Sequence, residues 1–220
     1  MTQLVTRDDA AHFLTDLNVR ECVDQIITSP PYAGLPGRAD TFEIVEAMIG
    51  PATRALADNG SVVLIVGAAG DDLLLGSELA RLVPGWSAHQ LELRYLHVWD
   101  RSGTLARKVG AQTVSHDLIL HFARPGLRVP TIFDQGSVVK TSMPGFNYGD
   151  GVTTPPDLAA LLVGKLSDPE DLIVDPFCGF GEVGVQSLHQ GRLFLGCDTS
   201  QTCVDVSNAR LAEHLPPEDA

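Results

Sequence analysis

The chain has 220 residues, 44% hydrophobic and 20% charged, the profile of one compact globular domain able to bury a full core. Its formal charge of −13 opposes non-specific attraction to nucleic acid, which rests on cationic neutralisation of phosphates. It has no apolar run of about 18 residues and no basic start followed by an apolar core, so neither a membrane span nor a secretion signal is expected. A cytoplasmic protein is the expectation. Cys22, Cys178, Cys197 and Cys203 form no CxxC pair and have no histidines at zinc spacing, so reduced core thiols are expected and no metal centre.

In chain order, Gln3 to Thr6 reads as a short strand and Asp8 to Leu17 as a helix capped by Asp8. Val23 to Thr28 is a hydrophobic strand running into Ser29-Pro30-Pro31-Tyr32. Ala33 to Asp40, with two glycines and a proline, reads as a mobile lid. Thr41 to Ala57 has helical apolar spacing with Thr41 as cap, and Pro51 predicts a kink or two helices. Asp58-Asn59-Gly60 reads as a turn releasing SVVLIV, a continuously apolar run typical of a buried parallel strand.

A helix is predicted over Asp71 to Leu82, ended by Pro84-Gly85. Two strands, Leu91 to Trp99 and His116 to Phe122, are joined by a basic, glycine-containing segment. Glu92 to Arg128 holds six Arg or Lys against three acids, a local basic region on an otherwise acidic body. Arg101, Arg107 and Lys108 are its candidate phosphate contacts, equally readable as solvated charges on a hairpin. Arg124 to Asp150 reads as an irregular excursion. Thr154 to Leu166 is a helix opened by two prolines. Then follow a strand at Leu172 to Val174, a glycine loop, a helix from Glu182 to Gln190, a strand from Arg192 to Cys197 ending at Asp198, and a last helix from about Gln201 to His214.

Two stretches carry chemistry. In open α/β sheets, ligands sit at the carboxyl ends of the strands. Two successive prolines there fix two φ angles and remove two N–H donors, leaving rigid carbonyl acceptors beside the Tyr32 ring. Such a site suits an amine conjugated with a heterocycle: Ser29 and the Pro30 carbonyl accept from the NH2, and Tyr32 stacks on the ring. Alone, the tetrapeptide is as readily a turn with an exposed tyrosine.

The second stretch is Asp175-Pro176-Phe177-Cys178-Gly179-Phe180-Gly181 in a strand–loop–helix–strand unit that ends in Asp198. A glycine turn followed by an acidic residue at the next strand's end is a nucleotide-ribose site. Gly179, Gly181 and Gly184 also satisfy GxGxxG, which alone allows a dinucleotide enzyme. The Asp-Pro-Phe-Cys inserted before the first glycine argues against that reading. Cys178 is expected only to pack.

With DPFCGFG and TSPPY together, the chain resembles the S-adenosylmethionine-dependent DNA amino-methyltransferases of the permuted class, in which the PPY motif precedes the cofactor motif. The resemblance covers most of the chain, including ALADNGSVVLIV, HVWDRS, HDLILHF, TPPDL and GRLFLGCDTS. It implies a Rossmann-like α/β methyltransferase fold, mostly parallel with one antiparallel hairpin, circularly permuted. The chain divides accordingly into a substrate-side half (about 1–124), an irregular insert (about 125–151) and a cofactor-binding half (about 152–220) of one domain.

The resemblance further implies S-adenosylmethionine as cofactor, held by Asp175, Pro176, Phe177, Cys178, Gly179, Gly181, Asp198 and Thr199, with Thr154 near the methionine end. Ser29, Pro30, Pro31 and Tyr32 would hold the target base, which must be extruded from a duplex to reach them. The implied partners are DNA, alone or through a partner subunit, and a second copy of the chain. The SPPY form favours cytosine over adenine. Where the family usually reads GSGT, this chain has Phe180 and Glu182, which places a carboxylate near that of the cofactor. The 125–151 insert is short for a DNA-reading unit of roughly 600–1,000 Å2. RNA, a small heterocyclic amine, and a degenerate partner subunit therefore stand as alternatives.

Overall fold

The computed structural model describes residues 3–17, 22–31, 41–67, 75–101, 107–109, 112–114, 116–131, 137–141, 147–148, 151–152 and 154–215. The framework is an eight-stranded sheet made of β1 (Val5–Arg7), β2 (Val23–Thr28), β3 (Leu56–Gly67), β4 (Glu92–Asp100), β7 (His116–Ala123), β8 (Val138–Lys140), β11 (Leu172–Asp175) and β12 (Leu193–Asp198). Their spatial order is β1-β12-β11-β2-β3-β7-β4-β8. Neighbours pair in parallel except around β7, which is antiparallel to both β3 and β4. The mostly parallel sheet with one antiparallel hairpin is therefore present, and the early strand β2 lies beside the late strand β11. Two short hairpins, β5 (Arg107–Val109) with β6 (Gln112–Val114) and β9 (Asn147–Tyr148) with β10 (Gly151–Val152), lie outside that sheet.

The apolar runs in the strands follow from burial on both faces. Ile26, Val62, Leu64, Leu118, Leu120 and Phe122 join one core with α1 (Ala10–Asp16), α2 (Thr41–Ala55) and α3 (Leu75–Ala88). The alternating Ile27, Val63, Ile65 and Ile119 join a second core with α4 (Pro156–Leu166), α5 (Glu182–His189) and α6 (Gln201–Ala212).

Several local expectations are corrected. The cap of α1 is Asp9, whose carboxylate accepts from the Ala11 and His12 N–H groups, while Asp8 pairs with His12 at 2.7 Å. Pro51 lies inside one helix, α2, rather than between two helices. Thr41 is the first residue of that helix. Asp58-Asn59-Gly60 does not separate helix from strand. β3 begins at Leu56, and its register against β2 jumps from Val23↔Leu56 to Gln25↔Ser61. At this irregularity Gly60 lies against the Val23 carbonyl, where a Cβ would lie only 2.7 Å from the oxygen.

α3 does not end at Pro84-Gly85 but runs through both to Ala88. Gly85 lets α2 approach, with Ile49 Cδ1 3.0 Å from where its Cβ would be, and the next residue, Trp86, is fully buried against Phe122. The packing of that indole outweighs the local helix-breaking signal. The irregular excursion also contributes β8, which pairs with β4 at the sheet edge. The lid expected at 33–40 lies outside the described residues.

Candidate active site

β11 and β2 run in parallel, with Ile173 opposite Gln25 and Val174 opposite Ile26, so the two motifs emerge side by side at adjacent strand tips. A buried hydrogen bond joins them: Thr28 Oγ1 donates to Asp175 Oδ1 at 2.5 Å. The same carboxylate oxygen accepts from the Phe177 N–H at 3.1 Å. Asp175 is only 4% exposed, and this burial pushes its carboxyl up to about 7 despite those two donors, with Asp198 adding repulsion. Thr28 was not singled out in the sequence. Its signal was a polar side chain closing an apolar strand immediately before Ser29.

Ser29 is half-buried and donates its hydroxyl proton to the Ile65 carbonyl of β3 at 3.3 Å. With its proton so committed, the oxygen presents lone pairs and acts as an acceptor. Pro30 is buried and Pro31 half-buried at the tip, while Tyr32 lies outside the described residues.

In the glycine loop, Gly179 has φ +51° and a Cβ there would meet nothing within 4 Å, so a ligand can approach the backbone. Gly181 has φ +80° and serves as the N-cap of α5; a Cβ there would lie 2.8 Å from Ser207 Cβ of α6. Gly184 meets the Phe194 ring at 2.6 Å in the same test, so the third glycine permits close packing of helix on strand. The loop is tied down by Gly181 N–H donating to the Cys178 carbonyl at 2.8 Å and Cys178 N–H donating to the Cys197 carbonyl at 3.0 Å.

At the tip of β12, Asp198 Oδ2 accepts from Gly179 N–H at 3.0 Å and Oδ1 accepts from Ser200 N–H at 2.8 Å. Each oxygen has further lone-pair capacity to accept from another donor. Thr199 is exposed, and its carbonyl accepts from Arg7 Nε at 3.2 Å. Pro176 and Cys178 are buried and Phe177 half-buried. Cys178 packs, as expected, with burial pushing its thiol up and the neighbouring Asp175 adding to that. Thr154 is half-buried and lies two residues before α4.

Glu182 differs from its expected role. It is 4% exposed, and its charge is spent internally: Oε2 lies 2.6 Å from Arg210 Nη2, and Oε1 accepts from Gln186 Nε2 at 3.0 Å.

Arg101 is corrected outright. It is 2% exposed and paired with the fully buried Asp117 at 3.2 Å, with its guanidinium 5.3 Å from the Trp99 ring. A group so enclosed is not a surface contact for phosphate. Arg107 and Lys108 lie on β5, in the excursion that leaves β4 and rejoins β7 at the same end of the sheet as the two motifs. Their side chains lie outside the described residues. Among the described residues, no group of three or more potential ligands could hold a metal, and no helix is long and apolar enough to cross a membrane.

The sheet order, the paired motifs and the glycine loop define a nucleotide-binding methyltransferase fold, and comparison with known proteins agrees. The profile of the N6/N4 DNA methylase family matches residues 23–209, and the chain belongs to that family. It is 35% identical to the type II methyltransferase M.HinfI of Haemophilus influenzae over 66 residues, 30% of this chain but only 18% of that protein. Among solved structures, the cytosine-N4-specific PvuII DNA methyltransferase superposes with a TM-score of 0.76 at 15% identity, covering 98% of this chain and 87% of the other. The M1.HpyAVI–SAM complex gives 0.72 at 16% identity, covering 94% and 98%.

Proposed function

We propose that this chain transfers a methyl group from S-adenosylmethionine to the exocyclic amino group of a base in DNA, with cytosine favoured over adenine. The observation that carries the reading is the Thr28–Asp175 bond across two parallel strands, which holds an acceptor turn beside a nucleotide-type loop. Both the M1.HpyAVI complex and the family support the cofactor.

The residues fit that cofactor. Asp198 suits the ribose hydroxyls, the open face of Gly179 admits the ligand against the backbone, and Phe177 provides an apolar wall. Asp175, Pro176, Cys178 and Gly181 shape the loop, while Thr154 and Thr199 stand at its margins. When bound, the cofactor supplies an electrophilic methyl on a sulfonium. The protein's task is then alignment and proton acceptance rather than activation by a strong base. Ser29 Oγ, already turned acceptor by Ile65, and the Pro30 carbonyl accept hydrogen bonds from the amino group; Pro31 stiffens the turn, and Tyr32 stacks on the base.

DNA binding rests on Arg107 and Lys108. Because the body carries −13 and Arg101 is enclosed, we assign further cationic surface to a second subunit, a copy of this chain or another protein. The cytoplasm is the compartment this reading assigns. The test is tritium transfer from labelled cofactor to DNA, RNA and free nucleosides in parallel. Label in DNA, on the amino nitrogen, is expected and should fall sharply in Tyr32→Ala with cofactor affinity unchanged. Label only in RNA or nucleosides would move the substrate, and no label with no cofactor binding would leave a non-catalytic subunit.

A further inference from the structure

Where the resembling family carries small hydroxyl residues after its first loop glycine, this chain has Phe180 and Glu182. A carboxylate only 4% exposed in the first turn of α5 is costly if it stands alone, and it would repel an anionic part of any ligand beside it. The structure shows what makes it tolerable. Arg210 reaches from α6 with both arms of its guanidinium: Nη1 donates to the Phe180 carbonyl at 2.5 Å and Nη2 to Glu182 Oε2 at 2.6 Å. One turn earlier on the same face, Ser207 abuts Gly181. Together α6 presses the loop, cancels its charge and fixes its middle carbonyl. The fork meets the two acceptors with separate nitrogens held in one plane, whereas a lysine would have to bridge both from a single nitrogen.

We propose that Arg210 is a positioning residue for the nucleotide cofactor, acting through Glu182 and the Phe180 carbonyl to hold the loop from Gly179 to Glu182 in its binding shape. This rests on the cofactor reading above. The fork replaces, by a charge-assisted tie from a distant helix, the hydroxyl contacts that Phe180 and Glu182 do not offer.

The test is calorimetric titration of the full chain with S-adenosylmethionine, together with amide hydrogen exchange at 179–182 without ligand. Arg210→Met is expected to raise Kd about ten-fold or more, equivalent to about 1.4 kcal/mol, and to speed exchange across the loop. Glu182→Gln/Arg210→Met should recover part of the affinity, because no buried charge is left unpaired. Asn208→Ala is the control on the same helix. Asn208 holds β1 through the Leu4 and Val5 N–H groups, both at 3.1 Å, so its loss should lower Tm while Kd stays within about two-fold.

Parental Kd and exchange in folded Arg210→Met would overturn the proposal, as would an equal loss of affinity in Asn208→Ala. If the methionine variant does not fold, Arg210→Lys decides: weakened binding supports the fork and parental binding overturns it. A parent chain that binds no cofactor would refute the functional reading and this role together. A parent that binds, with unaffected variants, would refute this role alone.

Discussion

The two ends of the sheet use buried polar groups differently. At the parallel end, Thr28, Asp175 and Asp198 cluster at the strand tips, each tied to backbone or side chain across an element boundary. From β2 across to the antiparallel strands they lie within the sheet. Gln25 Oε1 accepts from Ser61 Oγ at 2.5 Å, Ser61 Oγ lies 2.8 Å from His121 Nε2, and the Tyr95 ring sits 5.9 Å from that of His97 and 6.1 Å from that of His121. The first set ties the glycine loop to the strand tips; the second fixes how four strands lie against one another. Charge follows the same division. Burial raises an acid at one end and, helped by His97 and Arg94, lowers His121 to about 4 at the other.

The largest way to break this division is through the core of the antiparallel end. Trp86→Ala, fully buried and stacked on Phe122 at 5.3 Å, should cost about 3–5 kcal/mol in urea unfolding, with cofactor affinity of the folded fraction unchanged. Loss of affinity equal to the loss of stability would show that the two ends are not separable. Next, Asp198→Ala should weaken cofactor binding by roughly 1–3 kcal/mol, since it removes charged acceptors from ligand and loop alike. Unchanged calorimetric affinity would put the ribose elsewhere.

Thr28→Val keeps the shape and deletes one buried donor, so stability should fall by about 1–2 kcal/mol, with Thr28→Ser close to the parent. If serine fares no better than valine, the methyl group matters rather than the bond. The subtlest effect is in pH. The raised Asp175 holds its proton in the folded chain up to about 7, so its contribution falls as pH rises from about 4 to 7. The depressed His121 contributes stability above 6.5 that is lost as pH falls toward about 4. The two slopes oppose each other. Asp175→Asn should therefore unmask acid sensitivity in Tm between pH 4 and 6.5, and His121→Asn should unmask a decline over the same range. Parallel profiles in both variants would dismiss either group as the source.

What the sequence revealed was whatever is local. The apolar run Ser61 to Val66, the strand before Ser29 and the glycine loop all appear where spacing and composition put them, because each is decided within a few residues. What it concealed depends on partners far along the chain. Arg101 reads as a surface cation until the register sets Trp99 opposite Asp117 and brings that acid to it. Glu182 reads as a negative charge facing the cofactor until Arg210 comes down from α6. Thr28 is one unremarked polar residue until Asp175, 147 positions away, becomes its neighbour. Pro84-Gly85 carries a stop signal, yet α3 runs through it to bury Trp86.

The strand order also bears on how the protein is made. β12 lies between β1 and β11, so Val5 of β1 pairs with Gly196, 191 positions later in the chain. At about 5–20 residues per second, a ribosome leaves that segment waiting about 10–40 s. Until then the row of N–H and C=O groups along β11 that awaits β12 stays open to mispairing.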